Sequence, residues 1–231
     1  MSRNARDNSI GALLAFTAGF VDTAGFIALF GLFTAHVTGN FVLIGASIAA
    51  FHVGILGKLL ALPVFVLVVA LTRLYVLQAE RRKTNAAGAS LLSEFTFLLL
   101  FMAVGVAAAP FTDADAPLTI ATGMMGVVAM AVQNAAARTV FATLSPTTVM
   151  TGNVTQIVID LVDLAMESGQ KDVVRARLAK MAPPVATFAL GALAGALSYV
   201  WVGFWCLALP MSAILAAFVL SQASPPATEA A

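Results

Sequence analysis

Charge is what this 231-residue chain has least of: Asp, Glu, Lys and Arg together make up 10% of it, against about a quarter in an ordinary soluble domain. Its 12 basic and 11 acidic residues leave a formal charge of +1, so there is no basic field to draw a nucleic acid. One cysteine, Cys206, excludes an intramolecular disulfide, a cysteine-held zinc cluster and an iron–sulfur site. His36 and His52 are the only histidines, too few for a multi-histidine metal or haem site. No Gly-rich phosphate loop, nucleophile elbow or His-Glu-x-x-His pattern occurs. Neither an enzyme nor a bound cofactor or metal is therefore expected. Strict apolar–polar alternation is absent too, which argues against a transmembrane β-barrel.

What is abundant is apolar surface: 61% of residues are hydrophobic and the mean hydropathy is +0.97. Continuous apolar segments run at about 10–33, 41–57, 59–77, 91–110, 118–142, 154–166, 183–203 and 205–221. Several approach the roughly 20 residues a helix needs to cross a hydrocarbon core of about 30 Å. The expected fold class is all-α, a polytopic transmembrane helical bundle forming one integral membrane domain over residues 1–231. Arg3 and Arg6 precede a first segment that carries Asp22 and lacks a small-residue cleavage site, which reads as a retained span rather than a signal peptide. Residues 222–231, with Pro225 and Pro226, read as a disordered tail.

Loop charges constrain how the segments thread. Residues 78–88 hold Arg81, Arg82 and Lys83, and residues 167–183 hold Lys171, Arg175, Arg177 and Lys180, both cytoplasmic signatures; 110–117 holds Asp113 and Asp115 and no basic residue. If all eight segments crossed, the two basic loops would lie on opposite sides. If the segments at 41–57 and 154–166 are instead re-entrant or broken half-helices, both basic loops and both termini fall in the cytoplasm. Lys58 and Arg73, near the ends of the third segment, can snorkel to the interfaces.

The triplet Thr-Gly-Asn occurs twice, at Thr38-Gly39-Asn40 and Thr151-Gly152-Asn153, each copy between two apolar segments. With a one-residue insertion Asp22 aligns with Asn134. The halves at about 10–77 and 118–203 therefore read as an internal repeat joined by a helix at about 91–110, and the loop charges make it an inverted one, a common architecture of membrane transporters. Each triplet suits a helix start: Thr can cap free N–H groups, Gly permits close approach, and the first-turn N–H groups favour an anion or a polar solute group.

Charged and amide residues inside a span are costly, about 2.5–3.5 kcal/mol for Asp, Lys or Arg near the helix centre. Asp22, placed near mid-membrane, is either a protonatable carboxylate or cation ligand, or a structural hydrogen-bonded one. Gln133, Asn134 and Arg138 lie in the matching segment, the last two sharing one helix face. Arg138 either pairs with Asp22, binds an anionic solute, or anchors its helix end. The candidate solute-binding set is Asp22, His36, Thr38, Gly39, Asn40, Gln133, Asn134, Arg138, Thr151, Gly152 and Asn153. His52 reads as interfacial, and Glu94 as a first-turn acid favoured by the helix dipole. Gly191 and Gly195 form a Gly-x-x-x-Gly pair, used either for packing within the bundle or for a homo-oligomer contact.

The string Gly19-Phe20-Val21-Asp22-Thr23-Ala24-Gly25-Phe26, then Phe33-Thr34-Ala35-His36-Val37-Thr38-Gly39-Asn40, resembles the YoaK-like family of bacterial membrane proteins. Gln133-Asn134-Ala135 to Arg138, followed by Thr147 to Gly152, is similar to it as well. The resemblance covers about Ala12 to Leu220 and implies a small polytopic protein of the bacterial cytoplasmic membrane. It supplies neither substrate nor mechanism. From the residues, the leading expectation is a small transporter or channel-like permease for a small polar or anionic solute, proton-coupled through Asp22, in contact with the lipid bilayer. The alternative is a membrane-embedded scaffold or accessory subunit without transport.

Overall fold

The computed structural model describes residues 3–50, 54–168 and 170–222; His52 and the tail beyond Gln222 lie outside the described residues. The described chain is helical with no strand: α1 (Arg3–Ala28), α2 (Gly39–Ala50), α3 (Ile55–Arg81), α4 (Ala86–Ala108), α5 (Pro117–Arg138), α6 (Thr151–Ala165), α7 (Lys171–Val202), a 3₁₀ turn (Gly203–Leu207) and α8 (Ala208–Gln222). Among the described residues five stretches are long and apolar enough to cross a membrane, and the longest, Lys171–Gln222, contains both α7 and α8. Gly203, with φ of 57°, sits where the chain turns between them. At 12 and 15 residues, α2 and α6 are about 18 and 22 Å long, short of the ~30 Å hydrocarbon core.

Several boundaries differ from those expected. The first span stops at Ala28, because Phe30 and Gly31 take positive φ (53° and 79°) and turn the chain into an irregular loop over 29–38. The basic stretch expected as a loop at 167–183 is helical from Lys171 onward, so Pro183 and Pro184 stand inside α7. Asn85 caps α4 by accepting the Gly88 N–H at 2.8 Å, which starts that helix at Ala86. Glu94 is thus two turns into α4 and only 1% exposed, not a first-turn acid. Lys58 does not snorkel. It is buried, and its Nζ donates to the carbonyls of Phe30 (2.8 Å) and Gly54 (2.9 Å).

The tightest packing is α1 on α7, and small residues make it so. A Cβ on Gly191 or Gly195 would overlap the carbonyl of Phe16 or Phe20, and one on Gly19 would overlap that of Phe188. Gly11 meets Pro184, Phe16 meets Gly191 and Phe20 meets Gly195, a rising order that means the two helices run parallel. The Gly191/Gly195 pair is therefore consumed inside the bundle, which corrects the expectation of a homo-oligomer contact through it. Elsewhere α3 packs on α5, α4 on α5 and α8, α8 on α1, α2 on α3 and α6 on α7. Asp160 of α6 lies fully buried, and Arg177 of α7 clasps it with Nε 2.8 Å from Oδ2 and Nη2 against Oδ1, while Gln156 donates to it at 2.8 Å. This fork holds α6 to α7.

The helix ends sort into two faces. The start of α1 meets Thr143, Leu144 and the first turns of α7 around one cavity, and Asn85 bonds Gln222 at 2.9 Å. On the opposite face Asp115 accepts the N–H groups of Gly54 (3.0 Å) and Leu56 (3.2 Å).

Candidate functional site

Two loops follow one plan. In the first, Asp22 reaches from α1 to the returning chain: its Oδ1 accepts the N–H groups of Thr34 and Ala35, each at 2.7 Å, that of His36 at 3.4 Å, and the Thr34 hydroxyl at 3.3 Å. Oδ2 receives no bond from any described residue. Asp22 stands six residues before the end of α1, about 9 Å along the helix, so it belongs to the outer part of the span rather than its centre. Asn40 then closes the loop, accepting the Phe33 N–H at 3.0 Å and donating to the Phe33 carbonyl at 2.9 Å. Thr34, Ala35, Val37 and Asn40 are buried, whereas His36 and Thr38 are exposed, the His36 ring 5.6 Å from that of Phe33.

In the second loop the side-chain ties are amides. Gln133 donates to the Leu14 carbonyl (2.8 Å) and to the Thr147 hydroxyl (3.1 Å). Asn134 donates to Met130 (2.9 Å) and accepts the Thr148 hydroxyl at 2.6 Å. Asn153 donates to the Pro146 carbonyl at 2.9 Å, seven residues back, as Asn40 does to Phe33. α6 begins with Met150 at its N-cap and no side-chain cap bond. Among the described residues neither Thr38 nor Thr151 caps a helix through its hydroxyl. The triplet asparagines do the holding that was expected of the threonines. Gly39 is sterically required, since a Cβ there would lie 2.9 Å from Phe33 Cδ2, while Gly152 has open space around it.

The candidate residues thus form two groups rather than one. Asp22, His36, Thr38, Gly39 and Asn40 gather at one loop; Gln133, Asn134, Arg138, Thr151, Gly152 and Asn153 at the other. α2 and α6 do not touch, so the two triplets do not meet in mid-membrane. Gln133 is level with Leu14, eight residues below Asp22 on α1, about 12 Å along the helix. Arg138 is further still, in the last turn of α5, and it forms no ion pair with Asp22. It is exposed and makes no hydrogen bond or ion pair with any described residue.

Arg138 instead faces space. A cavity of about 280 Å³ is lined by Asn134, Arg138, Leu144, Pro146, Thr147 and Thr148. A second, about 310 Å³, lies between α3 and α5, where Arg138 meets Phe65, Val69 and Arg73. The guanidinium and the Thr147 hydroxyl, which accepts from Gln133 and keeps its own hydrogen, offer donors and positive charge to a small anion, whereas the Thr148 hydroxyl is given to Asn134. Thr147 and Thr148 belong to the family-like string but were not among the expected solute-binding residues, although their place just before the second triplet is the same as that of Thr34 and Ala35 before the first. Among the described residues four buried oxygen atoms have no partner: both carboxylate oxygens of Glu94, Oε1 of Gln133 and the Ser145 hydroxyl.

An all-helical bundle with several apolar spans and polar loops folded against them defines a polytopic integral membrane protein. Over residues 10–220 the chain matches the family described as "Protein of unknown function (DUF1275)", and it belongs to that family. It is similar to the UPF0700 transmembrane protein YoaK of Bacillus subtilis (strain 168), with 32% identity over 162 residues, 70% of each chain. No solved structure matches it.

Proposed function

We propose that this protein is a small permease for a small polar or anionic solute, and that the solute binds beside Arg138. The observation that carries the reading is the cavity of about 280 Å³ where an unpaired Arg138 stands with Asn134, Thr147 and Thr148. Arg138 is exposed in the last turn of α5 and makes no ion pair with any described residue, so its charge is open to a ligand. The cavity of about 280 Å³ has room for about nine waters at ~30 Å³ each, and so for a small solute.

The packing supports an inverted repeat of four helices plus four. Exchanging α1–α4 for α5–α8 turns the α1–α7 contact into α5–α3, α2–α3 into α6–α7, and α4–α5 into α8–α1. α4 then belongs to the first repeat and is no linker. On this reading the loop at 29–38 and the loop at 139–150 are equivalent gates on opposite faces, held by Asp22 and by Gln133 with Asn134. The face with Arg81, Arg82, Lys83, Lys171 and Lys180 is cytoplasmic, in a bacterial inner membrane.

The accessory-subunit reading draws on one observation: both triplet amides are spent inside their own loops. Binding of inorganic and small organic anions to purified protein, followed by thermal shift, separates the two. A saturable shift that Arg138→Gln abolishes supports the permease. A well-folded sample that no anion shifts, co-purifying with a fixed partner, supports the subunit.

A further inference from the structure

Glu94 lies on the buried stripe of α4, with Leu91, Leu98 and Phe101, and is 1% exposed. Neither of its oxygens meets a donor, and neither does Oε1 of Gln133, itself 1% exposed. The helix register brings these three orphan acceptors into one layer. α4 and α5 run antiparallel, and Phe101 packs on Gly126, where a Cβ would stand 3.1 Å from its ring. Seven residues are two helical turns, so the same face that carries Phe101 carries Glu94, and the face that carries Gly126 carries Gln133. Stepping two turns from the Phe101–Gly126 contact in an antiparallel pair places Glu94 level with Gln133.

The orientation of the Gln133 amide is fixed. Its Nε2 donates to the Leu14 carbonyl, a group that can only accept, so a flipped amide would set two acceptors against each other. Oε1 must therefore be the free end. A carboxylate facing an amide oxygen in a dry core would leave every acceptor unmet. A single hydrogen between Glu94 and Gln133 meets Oε1 and replaces a bare carboxylate by a neutral acid, leaving one carbonyl oxygen unpaired.

We propose that Glu94 is an intramembrane proton-binding site, whose carboxylic O–H donates to Oε1 of Gln133. Among the described residues no other charge competes on the elements packed against α4. α5 carries only Arg138, exposed at its end; α8 has no titratable residue; the 3₁₀ turn has Cys206. On α3, Lys58 is tied to Phe30 and Gly54, and Arg73, Tyr75, Glu80 and Arg81 are exposed. The proton comes from solvent and returns to it, with no other bond made or broken. Gln133 also donates to Thr147, on the cavity beside Arg138, so the proton site adjoins that loop. The proton site itself stands without the transport reading.

Infrared spectroscopy of purified protein, carried by 13C labelling of glutamate side-chain carboxyls, tests it in sodium-free buffer at neutral pH. Among the described residues only Glu80, Glu94 and Glu167 respond to the label, and the other two are exposed. The expected result is one protonated-acid carbonyl band, lost in Glu94→Gln, kept in Asp22→Asn, and raised in frequency in Gln133→Leu, which removes the acceptor. Should Glu94→Gln fail to fold, the labelled wild-type spectrum alone still decides. Only ionised glutamate bands would overturn the proposal. A protonated band that turns to carboxylate on adding sodium chloride would equally contradict it, marking a metal-cation site instead.

Discussion

Asn40 grips Phe33 from both sides, its carboxamide oxygen on the Phe33 N–H and its amide nitrogen on the Phe33 carbonyl. Asn153 makes the same reach to Pro146 but holds only the carbonyl, because proline has no N–H to give. The same seven-residue reach thus occurs at both loops, with different residues around it. The triplet asparagines are buried clamps that shape the loops, and the groups left free to meet a solute are those around them: His36 and Thr38 at one loop, Arg138 at the other.

Asn40→Ala should cost more stability than Asn153→Ala, since it leaves both Phe33 backbone groups unpaired instead of one carbonyl. At about 1 kcal/mol per lost hydrogen bond, and more where the group stays buried, the expected losses are about 2–3 and about 1–2 kcal/mol. Unfolding of the two variants in detergent, compared with wild type, checks the order.

Asp22→Ala removes the acceptor for the Thr34 and Ala35 N–H groups. Bonds to a charged partner contribute more than neutral ones, so a loss of about 2–4 kcal/mol is expected. Asp22→Asn retains a carbonyl oxygen in the same place and should lose less. Equal melting of all three proteins would show that the carboxylate does not hold the loop.

Gly191→Ala and Gly195→Ala should each destabilise the bundle by about 1–3 kcal/mol, because the added methyl meets a helix backbone that cannot move aside alone. Gly45→Ala and Gly152→Ala, where nothing lies within 4 Å, should be neutral or slightly stabilising. Thermal unfolding of the four variants separates packing glycines from merely permitted ones.

The helical membrane class and the positions of the two short helices were legible from apolar run length and from the triplets, since both depend on local sequence. Helix ends were less so: the α1 end rests on positive φ at Phe30 and Gly31, and the run of apolar residues continues through it. Glu94 was misplaced for a related reason. Apolar periodicity dates a helix from its first hydrophobic residue, whereas the Asn85 cap begins α4 at Ala86, among small residues that look like loop. Pairings across the bundle, such as Asp160 with Arg177 or Gln133 with Leu14, depend on which helices become neighbours, which a single sequence does not encode in any local pattern.

The proposed orientation is open to labelling in cells. In a Cys206→Ser background, single cysteines at Lys83 and Ser168 should be shielded from an impermeant thiol reagent added outside, and one at Asp113 should react. Reaction at Lys83 together with protection at Asp113 would invert the assignment.

The central claim is that Arg138 binds an anionic solute in the cavity beside Thr147 and Thr148. Its most direct test is a thermal-shift titration of purified wild type and Arg138→Gln with a panel of inorganic and small organic anions. The account predicts at least one saturable stabilisation of wild type that disappears in Arg138→Gln, while the variant without ligand still unfolds cooperatively. A stabilisation of equal size in both proteins would place binding elsewhere, and no stabilisation by any anion would contradict the claim.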